Sequence, residues 1–132
     1  MMNRALLTQI KETIISFGPA VLWAIVIFFF SSQEVLPGFE VSILDFLFKK
    51  SAHMTVFAVL FTLLWWGMAR SFKVSAKHAY LLWLMPLMIC LIYAMSDEWH
   101  QSFVSNRSPS LRDVGFDFLG AFTALLKLSD KV

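Results

Sequence analysis

Long apolar runs are the feature that most constrains the fold of this chain. Four of them lie at about 14–32, 52–69, 79–95 and 114–128, and 58% of all residues are hydrophobic while 15% are charged. The first three are close to the roughly 20 residues that an α-helix needs to cross a hydrocarbon core. None of the runs alternates as a β-strand does, and in lipid only helices or closed barrels satisfy the backbone. The 132 residues therefore predict a single all-α domain, an integral membrane bundle of four transmembrane helices.

The segment between the first two runs differs from an ordinary soluble loop. Within residues 35–48, apolar side chains alternate with Glu40, Ser42 and Asp45. This pattern predicts a short amphipathic helix that lies in the membrane interface. A lid that packs over neighbouring polar residues is the alternative.

The distribution of basic residues predicts how the bundle is oriented. With four spans, one side holds both termini and the loop at 70–78, and it carries seven of the 11 lysines and arginines: Arg4, Lys11, Arg70, Lys73, Lys77, Lys127 and Lys131. The positive-inside rule then places both termini in the cytoplasm. The first run is longer than the apolar core of a signal peptide and no small-residue cleavage site follows it, so we expect a retained anchor. The basic residues are few and close to the membrane, which argues against nucleic-acid binding.

A dense polar cluster follows the third run. Seven ionisable groups fall within residues 97–117, although a charged side chain at bilayer depth costs about 2.5–3.5 kcal/mol. Asp97 and Gln101 share a helical face if the third helix continues that far. Asp113 suits the start of the fourth helix, where the dipole favours a carboxylate. Asp117 lies one turn deeper and requires a partner, for which the candidates on the same side are Lys50, His53, Arg107 and Arg112.

These residues predict an outward-facing polar pocket. Arg107 is suited to an anion, because a guanidinium binds phosphate or carboxylate in a bidentate manner. Asp97 or Glu98, together with His100, is the candidate for acid–base catalysis. The remaining candidate ligand-binding residues are Gln33, Lys50, His53, Gln101, Asp113 and Asp117. The histidines and acids lack the tight spacing of a metal site, and no cofactor is expected.

Two other interpretations remain open. The polar residues could act only as interhelical bonds that fix four helices in register, since polar side chains join helices within membranes. The protein would then be a non-enzymatic interaction or scaffold subunit. A proton or ion pathway would need ionisable residues in both halves of the membrane, and the cytoplasmic halves of the runs are apolar.

The chain resembles the VanZ-like family of small bacterial membrane proteins. The resemblance rests on Ser31-Ser32-Gln33, on Lys50, His53 and Phe57, and above all on a final block comprising Asp97, Glu98, His100, Gln101, Phe103, Arg107, Asp113, Asp117 and Gly120. Where the family often has Pro-Gly before the arginine, this chain has Ser105-Asn106.

The resemblance implies a multi-pass protein of the bacterial inner membrane. The family is named for a protein associated with resistance to teicoplanin, a lipid-bearing glycopeptide that acts at the outer face of the membrane. The resemblance therefore implies a role in the cell envelope, and the expected partners are membrane lipids or a lipid-linked envelope precursor.

Overall fold

The structure is a computed structural model that describes residues 4–34, 38 and 42–131. Four long α-helices account for most of this part of the chain: α1 at Arg4–Ser31, α2 at Ser42–Ser71, α3 at Leu81–Gln101 and α4 at Leu111–Ser129. A short 3-10 helix at Ala76–His78 precedes α3, and the described residues contain no β-strand. The prediction of an all-helical chain is confirmed.

Three of the described helices are long and apolar enough to cross a membrane: α1, α2 and α3 with its 3-10 lead-in. Their outward side chains are apolar, with Leu22 66% and Ile92 63% exposed. Such a surface suits lipid better than water. The fourth helix is not among the three; its first two turns carry Arg112, Asp113 and Asp117.

The expected amphipathic segment needs correction where the structure describes it. Residues 42–48 are the first turns of α2 and not a separate helix. No proline occurs between residues 42 and 71, so nothing in the sequence interrupts the backbone hydrogen bonds. The rest of the predicted segment, at 35–37 and 39–41, lies outside the described residues.

Helix α2 is at the centre of the bundle. It packs against α1, α3 and α4, most extensively against α4, while α3 also packs against α4. Phe57 and Phe61 of α2 are almost completely buried, among small side chains such as Ala94 and Ala121. Both α2 and α4 begin at the end of the bundle where α1 and α3 finish, and we call this the polar end.

Gly120 allows α2 and α4 to approach closely. A Cβ atom at this position would lie 2.6 Å from the Cα of Met54 and still closer to its carbonyl oxygen. Glycine is therefore required for the backbones to meet here, as small residues are at other membrane helix interfaces. This approach occurs next to His53 and one turn from Asp117, so it sets the distance across the polar end.

Hydrogen bonds also join the helices within the apolar region. The Trp23 indole donates to the Val56 carbonyl at 2.8 Å, and the Tyr93 hydroxyl donates to the Ala24 carbonyl at 2.6 Å. These bonds tie α1 to α2 and to α3. Threonine hydroxyls such as that of Thr62 donate to the carbonyl four residues earlier, which satisfies a polar group that would otherwise face lipid.

Candidate ligand-binding site

Two parallel ion pairs connect α2 to α4 at the polar end. Lys50 and His53 are three residues apart and share a helical face. Lys50 Nζ donates to Asp113 Oδ1, and one turn deeper His53 Nδ1 lies 2.8 Å from Asp117 Oδ1. Asp117 is completely buried, so the imidazole supplies the partner that a carboxylate at this depth requires.

The pairing with Asp117 also determines which part of His53 is available for chemistry. When Asp117 accepts a hydrogen bond from Nδ1–H, the ring is fixed and Nε2 becomes its reactive nitrogen. Nε2 forms no hydrogen bond to the described residues. A neutral ring would accept a proton at Nε2, whereas a protonated ring would donate to an anion.

The end of α3 carries two buried carboxylates with different roles. Because α3 extends to Gln101, the expected shared face forms, and Gln101 Nε2 donates to Asp97 Oδ2 at 3.0 Å. Glu98 turns toward α4, where its Oε2 accepts from the Ser110 backbone N–H at 2.7 Å. Ser110 is the N-cap residue of α4 and its hydroxyl accepts from Arg112 N–H. Glu98 thus fixes the start of α4 relative to α3.

Arg107 binds the end of α1. Its Nε donates to the Gln33 carbonyl at 3.0 Å and its Nη2 to the Phe30 carbonyl at 3.3 Å. A cation is well placed there, because the last carbonyls of a helix carry partial negative charge. Nη1 forms no hydrogen bond within the described residues.

Asn106 shapes the turn that positions Arg107. It has a φ of 60°, the left-handed region that glycine and asparagine occupy most readily. This explains how the chain accommodates asparagine where the VanZ-like pattern often has glycine: the turn needs a residue that tolerates positive φ.

A cavity of about 370 Å³ lies among these residues at the polar end. This volume falls within the range of about 300–1,000 Å³ typical of small-molecule sites. The predicted site residues that line it are Lys50, His53, Asp97, Gln101, Arg107 and Asp113. Side chains of α1, including Trp23, Ile27 and Phe30, form an apolar wall opposite them. With Ser31 of α1 also in the lining, all four helices and the α3–α4 loop contribute polar groups to one space.

Four predicted site residues lie outside the lining of this cavity. Asp117 is hydrogen-bonded to His53, which lines the cavity, whereas Glu98 accepts from the backbone N–H of Ser110, which does not line it. His100 points to α1, where its Nε2 is 3.1 Å from Ser32 Oγ and its ring lies 4.4 Å from that of Phe28. The proposed combination of His100 with Asp97 or Glu98 is thus not joined by a hydrogen bond.

Gln33 is the fourth of these residues. It follows the end of α1, and its side chain donates back to the Phe29 carbonyl of that helix at 3.0 Å. Its backbone carbonyl, rather than its amide, faces the site, because that carbonyl accepts from Arg107.

Three polar residues of the cavity lining were not among the predicted site residues: Ser31, Lys49 and Ser108. For the first two, the sequence contained an indication. Ser31 belongs to the Ser-Ser-Gln sequence that ends α1, and Lys49 with Lys50 is the one basic pair that conflicts with the predicted orientation. Within residues 4–34 and 42–131, no group of three or more histidine, cysteine or acidic residues is arranged to hold a metal ion.

The helices and the cavity define a helical membrane protein with a polar site at one end of the bundle. The family model VanZ/LLP1 matches residues 16–129, which is nearly the whole chain. The protein therefore belongs to the VanZ/LLP1 family, and the resemblance seen in its motifs is confirmed. Comparison with curated proteins gives no significant match, and neither does comparison with solved structures.

Proposed function

We propose that the protein binds an anionic or lipid-linked component of the cell envelope in the cavity at its polar end. The polar end faces outward from the bacterial inner membrane, with α4 as a fourth span and both termini in the cytoplasm. While the component is bound there, lipid-bearing glycopeptide antibiotics cannot reach it or reach it less readily. Binding in the cavity thereby lowers the susceptibility of the cell to those drugs.

The observation that supports this proposal most is the convergence of side chains on one cavity. Lys50 and His53 come from α2, Asp97 from α3 and Arg107 from the α3–α4 loop, yet all line the same space beside an apolar wall. An apolar wall with a few polar groups is the usual composition of a ligand site. Ionisable residues at the end of a membrane bundle are also functional candidates in their own right.

The test compares resistance with protein abundance in cells that express single variants. Arg107→Gln and Asp97→Asn alter the cavity, whereas Arg112→Gln removes a cation at the same end of α4 that does not line it. We expect the first two variants to accumulate normally but to lose protection against teicoplanin, while Arg112→Gln retains it. Full protection by Arg107→Gln and Asp97→Asn at normal abundance would refute the proposal.

A second candidate function is that of a scaffold or interaction subunit. It is favoured by the bonds that join helices across the polar end, namely Lys50–Asp113, His53–Asp117 and Glu98–Ser110. On this account, substitutions at these positions lower abundance and thermal stability together with any activity. The same comparison of protection with abundance, applied to variants at these positions as well as to Arg107→Gln and Asp97→Asn, therefore separates the two functions.

A further inference from the structure

Two polar atoms in the cavity wall are buried without a hydrogen-bond partner. Asp97 and Ser31 are each only 5% exposed, and neither Asp97 Oδ1 nor Ser31 Oγ has a partner among the described residues. Buried polar groups in native proteins are almost always hydrogen-bonded, and leaving one unsatisfied is costly. Because both residues line the cavity, a molecule bound there would meet these atoms, and Asp97 Oδ1 can only accept from a donor.

The negative charge of Asp97 also lacks a partner, in addition to the missing hydrogen bond at Oδ1. Lys50 is paired with Asp113 and His53 with Asp117, so both of these side chains already have a carboxylate partner of their own. Within the described residues, Asp97 has only the neutral amide of Gln101. A buried carboxylate is most stable beside a hydrogen-bonded cation, so the donor that suits Asp97 best carries a positive charge.

Positively charged side chains lie nearer the opening of the cavity, where they would suit a negatively charged group of a ligand. Lys49, whose side chain is 39% exposed, and Arg107 both line it. Lys49 is paired with the half-buried Asp45 at 2.8 Å. Arg107 forms no ion pair within the described residues and keeps Nη1 available. Asp97 lies one helical turn, about 6 Å, deeper than the end of α3. The cavity thus offers cations near its opening and an uncompensated anion inside.

We propose that the ligand is a phosphate ester that also carries a primary ammonium group. Its phosphate contacts Lys49 and Arg107, and its ammonium donates to Asp97 Oδ1, with the apolar wall of α1 beside any acyl chain. This inference rests on the proposed function and specifies its ligand, because an anion alone would leave Asp97 unsatisfied.

The experiment measures binding of soluble short-chain lipids to the purified full chain in detergent. Dihexanoyl-phosphatidylethanolamine carries a primary ammonium, the phosphatidylcholine analogue has no N–H donor, and the phosphatidylglycerol analogue has no cation. We expect the ethanolamine lipid to bind about tenfold or more tightly than either, since hydrogen bonds between charged groups are the strong ones. Free phosphoethanolamine is tested alongside: comparable binding points to a soluble ligand, and much weaker binding to a membrane lipid.

The Asp97→Asn variant identifies the residue responsible. Asparagine keeps the shape and an oxygen for Gln101 but removes the charge, so the preference for the ethanolamine lipid should disappear while phosphatidylglycerol binds at least as well. Glu12→Gln, which removes an exposed carboxylate at the opposite end, should leave all affinities unchanged. Thermal unfolding of each variant without lipid establishes that it is folded.

The outcomes separate the inference from the function on which it rests. Equal binding of all three lipids by the wild type, weakened by Arg107→Gln, would overturn the ammonium assignment and leave the proposed function intact. A preference for the ethanolamine lipid that persists in Asp97→Asn would also overturn it. Absence of binding by every lipid and by free phosphoethanolamine would refute both.

Discussion

Replacing each of two glycines of α4 with alanine tests whether helix contact determines the architecture of the polar end. At Gly115 a new Cβ would meet nothing within 4 Å, whereas at Gly120 it would lie 2.6 Å from the Cα of Met54. The two substitutions are chemically identical and occur in the same helix. Any difference between them therefore comes from the contact with α2.

The expected magnitudes follow from helix propensity and steric overlap. Gly115→Ala should stabilise the protein by up to about 1 kcal/mol, because alanine is the better helix former. Gly120→Ala has the same gain in helix propensity, but it also overpacks the contact with α2, which typically costs about 1–3 kcal/mol. A shift by a flexible side chain cannot relieve this overlap, because the obstructing atoms are backbone. Because the gain in helix propensity is common to both, the free energies of unfolding of the two variants should differ by the overpacking cost alone, about 1–3 kcal/mol.

Unfolding of the purified variants by a denaturing detergent gives this difference. Separation of the helices at Gly120 should also lengthen the His53–Asp117 hydrogen bond, which is 2.8 Å in the wild type, so binding at the cavity should weaken in Gly120→Ala only. Equal stability of the two alanine variants would refute the close approach of α2 and α4, and with it the reasoning for the ion pairs.

Three further predictions concern the polar end and its orientation. His53→Ala should cost about 3–5 kcal/mol in unfolding titrations, because it leaves the buried Asp117 carboxylate unpaired. Asp117→Ala should cost less, because it leaves only the half-buried His53 ring without its partner, and the double variant should cost less than the sum of the two. The exposed Arg70–Glu12 pair is the control, expected to contribute about 0–1 kcal/mol, and strictly additive losses at His53 and Asp117 would contradict a direct pair. Asn106→Ala should lower thermal stability by about 1 kcal/mol because alanine resists positive φ, whereas Asn106→Gly should not, and equal effects would argue against that turn. In a Cys90→Ala background, an impermeant maleimide on intact cells should label Ser105→Cys and not Ser75→Cys; the reverse pattern would invert the proposed orientation.

The sequence predicts the helices well because membrane helices are encoded in long apolar runs. Their bounds are harder to predict where polar residues continue a helix. Helix α2 begins ten residues before the predicted span, since Asp45, Lys49 and Lys50 resemble a loop in hydropathy but contain no helix breaker. Likewise α3 continues through Asp97 to Gln101.

The pairing within the site could be narrowed from sequence but not decided. Four candidate partners for Asp117 lie at the same end, and the choice of His53 depends on the rotation of α2 against α4. That rotation is set by packing at Gly120 and Met54, which no local pattern reveals. Spacing alone predicts that Lys50 and His53 share a face, and the structure confirms it with two ion pairs to one helix.

His100 shows the limit of reasoning from proximity in sequence. It lies within three residues of Asp97 and two of Glu98, yet the helical turn directs it to Phe28 of α1 and to Ser32, which directly follows that helix. Neighbours along a helix project in different directions, so a compact sequence motif need not form a compact site. His53, more than forty residues away in sequence, is the histidine that lines the cavity with Asp97.

The most direct test of a ligand site at the polar end is native mass spectrometry of the protein purified in mild detergent. The wild type should retain one molecule with the mass of a phospholipid or lipid-linked precursor. Arg107→Gln should lose it, and Arg112→Gln, which changes a cation outside the cavity, should keep it. Wild-type protein without any bound molecule, or equal retention by all three proteins, would contradict the account and leave the polar cluster as a means of holding the helices together.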